Sequence, residues 1–177
     1  GDETAPLETL LEAVRSPRVV PEVSGRLRRP VVMYGGAAYS WFDSELLLEV
    51  AAMRPHLSFL LVGPLSRQLS AGRLPANVLA VGRRTYDEFA WYVASADVGI
   101  IPFREGEWAR NCDPIVKYEF LLCGKPVVAT DFPSAREHGA MVRVASGALD
   151  FARELDGALE SDTSMGSARS RAEFGYR

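Results

Sequence analysis

From residue 31 onward, short apolar runs alternate with longer amphipathic ones. "VVMY" (31–34) ends at Gly35-Gly36, and "LSFLLVG" (57–63), "NVLAVG" (77–82), "DVGIIPF" (97–103), "PVVAT" (126–130) and "MVRVA" (141–145) follow. Runs of this length, apolar at successive positions and bounded by turn residues, predict strands buried on both faces. Helical patterns lie between them. "SELLLEVAAMRP" is capped by Asp43 or Ser44 and ends at Pro55, and Tyr86 to Ala96 forms a second pattern. Residues 114–123 open on Pro114 behind an Asp113 cap and stop at Gly124, and residues 148–160 form a fourth helix. Residues 6–15 predict a short amphipathic helix, and the proline- and arginine-rich residues 16–30 a linker or wrapping segment. "SDTSMGSARS" (161–170) predicts a mobile loop, with a short closing helix after it.

Strands alternating with helices predict an α/β fold, a Rossmann-like three-layer sandwich around a mainly parallel six-stranded sheet. Residues 1–30 are then a leading helix and linker, 31–160 the strand domain and 161–177 a terminal segment. In such sheets ligands bind outside the carboxyl ends of the strands, where the strand order reverses. Three segments fall on that edge: Gly35-Gly36, Gly82-Arg83-Arg84, and residues 103–116.

Composition narrows the function classes. The chain is 47% hydrophobic and 24% charged, ordinary for a soluble domain. A net charge of -3 speaks against nucleic-acid binding through bulk charge, and leaves room for a local basic pocket. No apolar run reaches the length of a membrane span, and the N-terminus lacks a signal-peptide pattern. With Cys112 and Cys123 read as free thiols, the expected location is the cytoplasm. His56 and His138 alone make no multi-histidine metal site.

The helix at 114–123 carries the candidate chemistry. Its first N–H groups lack intrahelical partners and its macrodipole is positive at that end, which suits a phosphate. Pro114 has no N–H, so Ile115 and Val116 are the donors; alternatively Asp113 caps the helix and nothing binds. Glu119 in the same helix is either a solvated charge paired with Lys117 or an acceptor for the two hydroxyls of a ribose. Gly35-Gly36 permits close approach of backbone to a ligand, or simply makes a tight turn. Arg83, Arg84, Arg104, Arg110 and Lys117 cluster on the ligand edge, either solvated or facing a diphosphate. Tyr39, Trp41 and Trp108 are candidates to stack on a base or sugar, whereas Trp91 is expected to pack its helix.

Three segments together resemble the C-terminal, donor-binding domain of GT-B glycosyltransferases, in particular retaining enzymes of family four. They are "PVVMYGGAAYSWFDSELLLEVAAMRPHLSFLLVGP", "NVLAVGRRTYDEFAWYVASADVGIIPF" and "DPIVKYEFLLCGKPVVATDFP", which cover roughly residues 30–135. The resemblance implies that Glu119 holds the ribose hydroxyls and that the backbone at Ile115 and Val116 meets the diphosphate. It also implies that Gly82, Arg83 and Arg84 contact the base and that Gly35 and Gly36 face the diphosphate. Asn111 stands where the family has a first glutamate. The loop "GPLSRQLSAGR" offers Arg67 and Arg73 but no lysine, so Arg84 and Lys117 are left as candidate catalytic cations.

The implied donor is a nucleotide diphosphate sugar, carried on UDP or GDP, with no required cofactor or metal. The implied partner is an acceptor-binding N-terminal domain, through which any peripheral membrane association would run. Transfer to an acceptor hydroxyl with retention is the implied reaction; this half alone is expected to bind nucleotide and transfer little. The alternatives are a non-catalytic nucleotide-sugar-binding or interaction module and an epimerase-like domain.

Overall fold

Six strands form one sheet: β1 (Val31–Gly35), β2 (Ser58–Val62), β3 (Val78–Gly82), β4 (Val98–Ile101), β5 (Val127–Thr130) and β6 (Val142–Ala145). The order is β3-β2-β1-β4-β5-β6 and every pair is parallel. This is the doubly wound order, which reverses direction between β1 and β4. β1, β2 and β4 are buried at every position, which is why they read as continuous apolar runs. The structure is a computed structural model and describes residues 5–161; the loop and closing helix expected after these lie outside the described residues.

The helices are α1 (Ala5–Arg15), α2 (Pro21–Arg26), α3 (Ser44–Met53), α4 (Arg67–Ala71), α5 (Tyr86–Ser95), α6 (Glu107–Asn111), α7 (Ile115–Leu122), α8 (Pro133–Arg136) and α9 (Ala148–Ser161). α2, α4, α6 and α8 were not expected. Each has between four and six residues, too few to show a helical period. The β4 run was expected to reach residue 103 but ends at Ile101, where Pro102 interrupts the ladder of donors. Leu10 and Ala13 of α1, and Val20 and Val23 in the segment expected to be a linker or wrapping segment, join the core of the strand domain, so this segment wraps it.

Two helical layers cover the sheet. On one face α9 packs against α3, β4, β5 and β6, burying Phe151, Ala152, Leu155 and Ala158. Those positions recur at helical spacing and share one side. Arg54 locks the layer by donating Nε and Nη2 to Asp156 at 2.8 and 2.6 Å. On the other face lie α5 and α7, with α1 across them. The start of β1 is tied to the start of β4 because the Asp97 carboxylate accepts from the Val31 N–H at 2.6 Å. Thr130 steadies the segment after β4 by accepting from the Phe103 N–H at 2.9 Å.

Two glycines let α5 and α7 lie close to the strands that flank the reversal. A Cβ at Gly35 of β1 would come within 2.6 Å of the Phe89 ring of α5, and one at Gly99 of β4 would collide with the Phe120 ring of α7. Phe120 is fully buried and has little room to yield. Gly99→Ala is therefore expected to lower stability by about 1–3 kcal/mol through overpacking. Urea unfolding checks this; an unchanged midpoint would mean that the α7–β4 contact is not tight.

Candidate functional site

The reversal between β1 and β4 opens a crevice of about 620 Å³ at the carboxyl edge of the sheet. Its floor is the Gly35-Gly36 turn, where Gly36 takes a φ of 130° and donates its N–H to the Val62 carbonyl at 2.9 Å. At Gly63, which has a φ of 142°, a Cβ would collide with the Gly36 carbonyl. The two turns therefore meet backbone to backbone, and the floor carries no side chain from either position. Arg83 and Arg84 form one wall, Tyr86 and Phe89 of α5 the next, and Ile115, Val116 and Glu119 of α7 the third.

The start of α7 has no side-chain cap. Its boundary residue is Pro114, and Asp113, the expected cap, is occupied elsewhere. Asp113 accepts from Lys117 Nζ at 2.7 Å and from the Tyr118 hydroxyl at 2.8 Å. These bonds hold its carboxyl below the usual carboxylate range, against the opposing effect of burial. With the carboxylate drawn away, the first N–H groups of α7 have no capping side chain, and Ile115 and Val116, which carry two of them, line the crevice. Ile115 is 74% exposed at the crevice rim, while Leu122 on the same helix is buried.

Lys117 corrects the sequence reading most. It is 0% exposed and does not line the crevice. Its ammonium also donates to the Ser134 carbonyl at 3.0 Å. A buried ammonium persists only when paired and hydrogen-bonded. Lys117 is thus a structural tie between α7 and α8, neither a surface partner of Glu119 nor a cation facing a ligand.

Glu119 does line the crevice. The Tyr86 hydroxyl donates to its Oε1 at 2.9 Å. Half-burial raises the Glu119 carboxyl above its ordinary value, and the Tyr86 bond opposes the rise. Tyr86 is held by the start of α5, where Thr85 and Glu88 form a reciprocal capping box. The sequence reading did not single out Tyr86. Its only signal was its place directly after the turn at Gly82, Arg83 and Arg84.

The other expected residues divide. Gly35, Gly36, Arg83, Arg84, Ile115, Val116 and Glu119 converge on the crevice, as do Trp41 and Trp108. Gly82, Asn111, Asp113, Lys117, Arg104 and Arg110 do not line it. Arg84 is already engaged, with Tyr92 and with Glu22 of α2, each at 3.3 Å. Arg104 pairs with Asp43 at 3.8 Å, and Arg110 is exposed. Asn111 turns its amide back onto the Glu107 carbonyl at 2.9 Å and borders a separate hollow with Trp108 and Asp113. Trp41 stacks on Trp108 with centroids 4.4 Å apart, and Tyr39 meets Trp41 edge-on. Cys112 lines the crevice, but burial raises its thiol and so disfavours the thiolate.

Comparison with known proteins places the chain in a family. The profile of the family described as Glycosyl transferases group 1 matches residues 29–161. A curated relative from Bacillus subtilis (strain 168), TuaH, named for teichuronic acid biosynthesis as a glycosyltransferase, is 34% identical over 97 residues. That match takes in 52% of this chain and 24% of the relative. Among solved structures, Anabaena Alr3699/HepE in complex with UDP and glucose superposes with a TM-score of 0.66 at 21% identity. It covers 86% of this chain and 44% of HepE. The C-terminal domain of the Francisella tularensis glycosyl transferase group 1 family protein LpcC superposes with a TM-score of 0.62 at 11% identity, covering 90% of this chain and 91% of that one. At these identities the structures establish the fold. This chain spans less than half the length of TuaH and of HepE.

Two outcomes follow for α7. Lys117→Ala is expected to cost about 2–4 kcal/mol, from a cavity and the lost ties. Lys117→Met should recover much of that while leaving nucleotide affinity within about threefold, since the ammonium lies outside the crevice. Melting curves and titration check both; loss of binding in the folded Met variant would restore Lys117 as a ligand cation. For Glu119 the native carboxyl value lies above the unfolded one. The folded state therefore holds more protons between the two values, and stability falls as pH rises through that window. Glu119→Gln should thus be at least as stable as the parent chain at neutral pH, and a clear loss in thermal melting would contradict the assigned burial.

Proposed function

Because this chain belongs to the family Glycosyl transferases group 1, we propose that the crevice binds the nucleoside diphosphate of a sugar donor. The observation that carries the reading is the convergence of three features on one cleft: the uncapped start of α7, the side-chain-free turn at Gly35-Gly36, and the Glu119 carboxylate. A diphosphate against the N–H groups of Ile115 and Val116 meets the positive end of a helix dipole. A neutral diol suits a carboxylate that stands on the next turn of the same helix, because it brings two donors and no negative charge. The base then lies toward the turn at Gly82, Arg83 and Arg84. Of its two cations, Arg83 is exposed whereas Arg84 is tied to Glu22, so Arg83 is the freer to meet the ligand.

In this reading the reaction transfers the sugar to an acceptor hydroxyl with retention. This chain contributes electrostatic stabilisation of the departing diphosphate, from helix N–H groups that are already oriented before charge develops. The acceptor is held by a part of the fold that this chain, which spans less than half the length of TuaH and HepE, does not match. HepE was crystallised with UDP, which makes UDP the first nucleotide to try here. One observation favours a second reading, nucleotide binding without transfer. Glu119 is the only carboxylate among the described residues that line the crevice, and Asn111 turns away from it. Supplying an acceptor domain separates the two, since only the first reading predicts transfer.

Calorimetric titration with UDP, GDP and ADP tests the common part. At least one should bind, and Glu119→Ala should weaken it by about 1.5–3 kcal/mol, roughly ten- to a hundredfold. No binding of any nucleotide at millimolar concentration would refute the donor site, and equal binding by the variant would remove Glu119 from it.

A further inference from the structure

Glu119 does not stand alone in the crevice. Its Oε1 accepts from Tyr86, a residue 33 positions earlier and on a different helix. Both helices are fixed against the sheet: α5 through Phe89 on Gly35, α7 through Phe120 on Gly99. The Tyr86 ring also lies beside Phe89, with centroids 6.3 Å apart, and its backbone starts α5 under the capping box. Tyr86 is itself exposed, and the 2.9 Å contact joins two elements that are each anchored to the sheet.

We propose that Tyr86 is a positioning residue for this site: its hydroxyl fixes the plane of the Glu119 carboxylate so that the remaining acceptor positions meet both hydroxyls of a ribose, making the crevice selective for ribonucleotides over nucleotides that lack the diol. The proposal rests on the ribose reading given above and extends it to a second residue and to the basis of sugar selectivity. A carboxylate has two oxygens and about four lone-pair directions. Tyr86 occupies one direction on Oε1 and leaves Oε2 and the rest of Oε1 open. A lone carboxylate rotates about its last torsion over a broad well, so an anchored donor lowers the cost of presenting both oxygens to a rigid diol.

The same bond favours the ionised acceptor against the effect of burial. Burial favours the neutral acid, and the Tyr86 hydroxyl favours the carboxylate. The titratable groups coupled to this carboxylate are Tyr86 on α5 and Cys123 beyond α7, and Arg83 and Arg84 are the cations on the crevice wall. Diol recognition needs the ionised form, so affinity falls as pH drops through the Glu119 value, and losing the Tyr86 bond moves that fall to higher pH.

The test compares UDP with 2′,3′-dideoxy-UDP across acidic to neutral pH, in the parent chain, Tyr86→Phe and Glu119→Gln. The parent should prefer UDP. Tyr86→Phe should lose about tenfold in UDP affinity, leave the dideoxy analogue unchanged, and shift the acid limb of UDP binding upward. Glu119→Gln should flatten both the preference and the acid limb. The preference is a ratio within one sample and does not depend on the fraction folded. A parent-like preference and acid limb in Tyr86→Phe overturns the positioning role and leaves the ribose reading standing. A parent chain that binds both nucleotides equally overturns both.

Discussion

A lysine ammonium with no access to water ties the crevice helix α7 to α8, and the arrangement of α7 follows from how that charge is satisfied. Lys117 needs acceptors in a place where an unpaired charge would be prohibitive, and it finds the Asp113 carboxylate and the Ser134 carbonyl. Asp113 is thereby turned away from the first turn of α7, which leaves the helix start uncapped. Two residues along a helix correspond to about 200° of rotation, so Glu119 points nearly opposite to Lys117. A cation locked toward α8 thus sets a carboxylate toward α5 and the cleft. The helix itself is seated by Phe120 on Gly99, which fixes its depth above β4.

Electrostatics at the crevice are sparer than a cluster of five cations suggests. Arg84 is engaged by Glu22 and Tyr92, Arg104 by Asp43, and Lys117 by Asp113. What remains to attract negative charge in the cleft is the dipole of α7, the backbone of the glycine turns and Arg83, with the Glu119 carboxylate opposing them further along the helix. That balance suits a ligand whose negative charge is confined to one end and whose other parts are neutral, as in a nucleoside diphosphate.

The sheet was legible because its strands are buried on both faces, and continuous apolar runs closed by glycine leave few other readings. The strands flanking the switch point were placed from that pattern, whereas Glu119 was singled out as a ligand residue only with the family resemblance. The four short helices were not legible, since none completes two turns. Lys117 was misplaced because spacing along a helix says which residues are neighbours, not which of them is buried. Lys117 sits two positions from Glu119 and was paired with it, yet packing against α8 buries one and opens the other. Tyr86 was missed because only the folded sheet brings residue 86 within 2.9 Å of residue 119.

A crystal structure of this chain with UDP tests the central claim most directly. The account predicts a diphosphate within hydrogen-bond distance of the Ile115 and Val116 N–H groups and both ribose hydroxyls on Glu119, with Tyr86 still bound to Oε1. A nucleotide seated anywhere else, or a ribose that makes no contact with Glu119, would contradict it.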